Sequence, residues 1–156
     1  RTAVAEPKEA TKTIVELGGI WQVQVDAQAQ PPLEHDPTIP AELFAGAQRP
    51  LQDWEKWELK RFSGYADYTK TVELNSDTGR TVLDLGRVRH LCQVWINGTD
   101  MGSRLWPPFT FDITDAMKSG TNTVKVRVGN LTNNNYGQKA ESGLFGPVQI
   151  KQIQSR

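Results

Sequence analysis

An all-β sandwich is the fold this sequence predicts, and three observations predict it. Short runs of β-prone residues recur from Ile20 to Ile153, several alternating apolar with polar side chains. Glycine, asparagine and proline punctuate these runs at short intervals. The clearest helical signal is about one turn, Thr114 to Lys118, with Thr114 or Asp115 as the cap and Gly120 as the stop. Most domains fall between about 50 and 250 residues, so a chain of 156 residues has room for one two-layer core.

Taken in order, the first dozen residues (RTAVAEPKEATK) are polar and unpatterned and are predicted to be a lead-in, residues 1–13, before a single sandwich domain, residues 14–156. Ile20 to Val25 alternates with period 2 and predicts a strand whose buried face carries Trp21. Between Gln30 and Asp53 five prolines (Pro31, Pro32, Pro37, Pro40 and Pro50) predict a loop, with one helical turn around Ala41 to Phe44. Strands are then expected at Ala66 to Leu74, Thr81 to Leu85, Leu91 to Ile96, Phe109 to Ile113, Thr123 to Val128 and Val148 to Ile153. Asn97-Gly98 supplies the positive φ angles of a tight hairpin, so Leu91 to Ile96 should fold back on a strand starting near Met101. The run Val124 to Val128 sets three valines on one face and Lys125 and Arg127 on the other, as in a half-buried strand.

Charge narrows the partners. Lys plus Arg equals Asp plus Glu at 18 each, so no global field draws the chain to nucleic acid or to an anionic membrane. No stretch approaches the ~18 consecutive apolar residues of a membrane span. The single cysteine, Cys92, lies in an apolar run and reads as a small buried hydrophobe.

Catalytic chemistry needs nucleophiles, bases or metal ligands, and the sequence is thin in them. His35 and His90 lack metal-ligand spacing. Glycoside hydrolysis requires two facing carboxylates. Of the candidates Asp67, Asp84, Asp112, Asp115 and Glu141, Asp84 alternates with the apolar Leu83 and Leu85 and Asp112 and Asp115 flank a turn, where aspartate is favoured, which leaves Asp67 and Glu141. Sugar binding instead calls for aromatic faces beside amides and charged groups. Two segments fit. In Gly102 to Phe109, Arg104 and Trp106 stand beside the stiff Pro107-Pro108 pair; in Asn130 to Gln138, Asn133, Asn134, Asn135 and Tyr136 form an amide-aromatic patch. Each segment has a second reading, as a loop-anchoring aromatic and as a structural loop whose asparagines favour left-handed backbone. Trp95, opposite in sense to Val94 and Ile96, is either a packing contact or an exposed platform. Asn97-Gly98-Thr99 and Asn130-Leu131-Thr132 match the short glycosylation acceptor pattern.

A resemblance joins these pieces. The segments "FSGYADYTKTVEL" (62–74), "LDLGRV" (83–88), "VWING" (94–98), "LWPPFTFDIT" (105–114), "GTNTVKVRVGN" (120–130) and "SGLFGPVQI" (142–150) follow one another with fixed spacing, and "LGGIWQVQV" (17–25) precedes them. Together they resemble the sugar-binding β-sandwich of family 2 glycoside hydrolases, and more closely the C-terminal sandwich of the α-L-rhamnosidase-like enzymes of family 106. The resemblance implies a galactose-binding-domain-like jelly roll whose catalytic domain lies elsewhere in the polypeptide, so no catalytic residue carries over. It implies a non-catalytic accessory domain of a bacterial, secreted or periplasmic glycoside hydrolase. Its expected partners are that catalytic domain and carbohydrate, with Arg104, Trp106 and Asn133 to Tyr136 as contacts. The alternatives are a purely structural domain docked through an apolar patch of Trp54, Trp57 and Trp106, and a small hydrolase in its own right. No cofactor is expected; relatives of the fold often hold a structural calcium, but no dense carboxylate cluster marks such a site here.

Overall fold

The computed structural model describes residues 10–25, 40–57, 59, 64–75, 79–130 and 141–153. Within them the sequence alternation becomes strands. In chain order these are β1 (Thr11–Glu16), β2 (Ile20–Val25), β3 (Ala47–Pro50), β4 (Tyr65–Leu74), β5 (Thr81–Asp84) and β6 (Arg87–Arg89). They continue with β7 (Leu91–Ile96), β8 (Thr99–Arg104), β9 (Thr110–Asp112), β10 (Gly120–Gly129), β11 (Gly143–Gly146) and β12 (Gln149–Ile153). One short helix, α1 (Ala41–Ala45), and a 3-10 turn, Trp54–Trp57, precede β4.

The strands form an antiparallel six-stranded sheet, β3-β2-β4-β10-β7-β8, an antiparallel four-stranded sheet, β1-β12-β5-β9, and a small β11-β6 ribbon. The pleat sends every second side chain inward. Val126 of β10 thus faces Val94 of β7 and Tyr68 of β4 in one buried row. Leu83, Phe111 and Ile150 meet that row from the four-stranded sheet in a single buried cluster. The chain is an all-β sandwich.

Trp54 and Trp57 belong to this core and not to a surface patch, which corrects the expected docking face. The Trp54 indole Nε1 donates to the Tyr68 hydroxyl at 2.8 Å, and the backbone N–H of Leu144 donates to the same oxygen at 3.2 Å. Trp21 meets the Tyr68 ring edge-on at 6.4 Å between centroids, as aromatic quadrupoles prefer. Burial holds the Tyr68 phenol far above its ordinary pKa.

Two further expectations change. β1 begins at Thr11, within the stretch read as lead-in, and pairs with β12 from Thr11 opposite Ile153. Its Thr-Lys-Thr start carries no buried face because it is an edge strand, where exposed polar residues and lysine are the norm. The Thr114–Lys118 turn is not a helix. Asp112 takes the Thr114 N–H, Asn122 takes the Lys118 N–H, and the N–H groups of Ala116 and Met117 both turn to the carbonyl of Ile113. The Met117 N–H makes one helix-type bond, but Asn122 takes the Lys118 N–H that a helix would have paired with Thr114, so the turn does not propagate.

Candidate functional site

β8 ends at Arg104, and the chain from Leu105 to Pro108 crosses the surface before the buried Phe109 anchors it, the Phe109 carbonyl accepting the N–H of Leu85 at 2.9 Å. Leu105 is 56% exposed and Trp106 77%, the largest exposure of any bulky apolar residue described.

The opposite wall is β6. The side chain of Asp84 accepts the N–H of Gly86 at 2.9 Å and turns the chain into the strand. A Cβ on Gly86 would stand 2.4 Å from the carbonyl carbon of Gly146, so only glycine permits this approach. Pairing with β11 then fixes β6 so that Val88 points inward while Arg87 and Arg89 point outward. The Arg87 guanidinium lies 4.3 Å above the Phe145 ring and pairs with Glu141 at 2.5 Å. Arg89 has no ion pair or side-chain hydrogen bond among the described residues. Desolvation first, and the charge of Arg89 second, hold the His90 imidazole below its ordinary pKa.

Between the two walls lies a groove of about 500 Å³, with Arg87, Arg89 and His90 on one side and Leu105, Trp106 and Pro107 on the other. The structure thus brings Trp106 together with three residues that the sequence did not single out as a binding set. Arg104 is not among those lining the groove. It stands opposite Cys92 on the inward face of the edge strand β8, and its guanidinium lies 4.8 Å from the centroid of Phe111. β8 ends at Arg104, so the chain leaves the strand before Trp106 and the two side chains part, Arg104 covering the sheet edge over Phe111. Asn133, Asn134, Asn135, Tyr136 and His35 lie outside the described residues.

Asp67, Glu141 and Asp84 among the remaining candidates have partners. Asp67 takes two hydrogen bonds from Arg127, at 2.8 and 3.1 Å, and stands 3.7 Å from Lys125. Glu141 holds Arg87; Asp84 pairs with Lys151 at 2.9 Å. Trp95 is covered by the cations of its own sheet, Lys125 at 5.0 Å and Arg127 at 5.3 Å, which favours the packing reading over the platform. Asn97 spends its amide on Ala116, Asn122 and Thr123, so the first acceptor pattern presents a nitrogen already bonded inside the protein. Burial pushes the Cys92 thiol up to about 11, with Arg104 offsetting part of the rise. Among the described residues no three His, Cys, Asp or Glu side chains are grouped to hold a metal ion, and no helix is long and apolar enough to cross a membrane.

No protein-family model matches the chain. Two curated proteins of Formosa agariphila, each named "Putative beta-glucuronidase", are 35% identical to it over 88 residues and 31% over 100. These matches span 52% and 62% of this chain but only 8% and 9% of the relatives' own length. A solved rhamnosidase from Novosphingobium sp. PP1Y is similar over 97% of this chain and 16% of its own, with 28% identity and a TM-score of 0.75. A beta-glucuronidase from an uncultured Clostridium sp. shares the fold over 98% of this chain and 30% of its own, at 19% identity and a TM-score of 0.67. The chain is therefore similar to glycoside hydrolases along nearly all of itself and along a minor part of them.

Proposed function

We propose that this chain is a non-catalytic accessory sandwich of a larger bacterial glycoside hydrolase, of the family 106 α-L-rhamnosidase-like kind, and that it holds carbohydrate in the groove beside Trp106. The observation that carries the reading is the indole itself. A fold that buries Trp21, Trp54 and Trp57 leaves Trp106 77% exposed on one wall of a groove of about 500 Å³, within the usual size range of ligand sites. An aromatic face beside polar groups suits the C–H-rich face of a sugar ring and its hydroxyls. Asn133, Asn134, Asn135 and Tyr136 are proposed as a second contact along the glycan. The relatives' names and the small share of their length that this chain spans support a catalytic domain elsewhere in the same polypeptide; a place of action outside the cytoplasm is part of the same proposal.

A second reading keeps the same surface but fills it with protein. Leu105 beside Trp106, and Ile20 at 50% exposure, would also suit a neighbouring domain that buries them. Calorimetric titration of the chain with rhamnose-, galactose- and glucuronate-containing oligosaccharides separates the two readings. Saturable binding that Trp106→Ala weakens at least about tenfold, with unfolding stability within about 0.5 kcal/mol of the parent, supports the carbohydrate site. Tyr136→Ala tests the second contact in the same way. Absence of binding at millimolar saccharide, with intact folding, favours the docking face.

A further inference from the structure

We propose that the groove selects a negatively charged saccharide residue, with Arg89 receiving its carboxylate or sulfate ester and the Trp106 indole facing its ring. The inference rests on the groove being a carbohydrate site. It goes further by naming the charge class of the sugar.

The walls of the groove are unbalanced in charge. The chain as a whole is neutral, with 18 basic and 18 acidic residues, yet among the described residues Arg87, Arg89 and His90 line the groove and no carboxylate does. Arg87 is already committed, held by Glu141 at 2.5 Å and seated on Phe145 at 4.3 Å. Arg89 lies two residues on, on the same outward face of β6, and its guanidinium has no ion pair among the described residues.

Position also favours the assignment. Arg89 stands opposite Gly143 in the β6-β11 ribbon, so its backbone is fixed by strand pairing instead of a free loop. A guanidinium presented in this way offers a planar fork that matches a carboxylate or sulfate with two parallel hydrogen bonds. A neutral sugar offers it only hydroxyl acceptors, which bind a charged donor more weakly. Across the groove, Leu105, Trp106 and Pro107 present the apolar surface that a pyranose ring needs.

The test compares charge at constant shape. Glucuronate- and galacturonate-containing tetrasaccharides, their methyl esters and a sulfated galactan tetrasaccharide are titrated calorimetrically into the chain and into its Arg89→Gln and Trp106→Ala variants. Because Arg89 is exposed, Arg89→Gln should leave folding unchanged, which circular dichroism checks. The expected result is that an acidic form binds at least about tenfold tighter than its neutral ester, the preference shrinking between about 0.05 and 0.5 M salt. Arg89→Gln should abolish the preference by weakening the acidic form more than the ester, and Trp106→Ala should weaken both forms. Tighter binding of the sulfated chain than of the uronates supports the proposal and identifies sulfate as the anion. Equal affinity for acid, ester and sulfated forms, or a preference that survives Arg89→Gln, overturns the charge assignment and leaves the carbohydrate site standing. Binding of none of the saccharides overturns both.

Discussion

Asp112 lies half-exposed between β9 and the turn that follows, and its Oδ1 accepts the Thr114 hydroxyl at 2.6 Å and the Thr114 N–H at 3.1 Å, while Arg80 reaches Oδ2 at 3.3 Å. The hydroxyl contributes most, the amide and arginine add to it, and together they hold the carboxyl below the usual aspartate range. Because the folded value lies below the unfolded one, this contribution to stability is complete above about pH 4 and fades as pH falls through the folded value. Thr114→Val should therefore raise the Asp112 pKa toward its ordinary value in an NMR titration. It should also cost about 1–2 kcal/mol, because Thr114 Oγ1 accepts the N–H of Thr81 at 3.0 Å. An unmoved titration curve would show that the hydroxyl is not what holds this carboxyl down. The sequence placed an aspartate at this turn, but whether its side chain would cap a helix or replace one depends on where Asn122 and Thr81 stand in three dimensions.

At the level of elements, the β7-β8 hairpin shows what short-range chemistry decides and what it leaves open. Asn97 and Gly98 adopt φ values of 51° and 83°, the turn that an Asn-Gly pair between two strands predicts. What the pair alone did not reveal is the clamp beneath it. Asn97 donates to Asn122 Oδ1 at 2.9 Å, and Asn122, fully buried, also binds the N–H and carbonyl of Lys118 and the carbonyl of Gly120. One side chain thus ties the hairpin, the turn and the start of β10 together. Asn122→Ala leaves these groups without partners and is expected to cost about 2–4 kcal/mol in denaturant unfolding; a loss under about 0.5 kcal/mol would mean the clamp is not cooperative. Gly86 is comparable. Its φ of 68° and its contact with the Gly146 backbone leave no room for a Cβ, so Gly86→Ala should destabilise by about 3 kcal/mol or prevent folding, whereas Gly98→Ala, with open space around it, should cost about 1 kcal/mol through its φ alone. Long strands such as β4 and β10 were legible because one face is buried. β1, β3 and β6 were hard to read because edge or ribbon strands of three to six residues carry little period-2 signal.

Across the whole molecule, the sandwich was readable because its buried rows repeat in sequence, and the site was readable only in part. Trp106 stood out beside two prolines. Its companions Arg87, Arg89 and His90 come from about sixteen to nineteen positions earlier, and no local spacing joins them to it; the signal available was the Arg-Val-Arg alternation of β6, which places two cations outward just as the Val124–Val128 run does with Lys125 and Arg127. Arg104, two residues before Trp106, lies over Phe111 instead, at the last position of β8. Proximity in sequence therefore misled, because the strand ends between the two residues and neither spacing nor alternation marks that end. The account's central claim is that carbohydrate binds at Trp106. The most direct measurement is an NMR titration of the indole N–H signals with the oligosaccharide panel, since the chain has five tryptophans, of which Trp21, Trp54 and Trp57 are buried and Trp95 is covered by cations. The account predicts that the Trp106 signal alone shifts, saturably, at up to millimolar saccharide. Spectra in which no indole signal moves, or in which Trp95 responds and Trp106 does not, would contradict it.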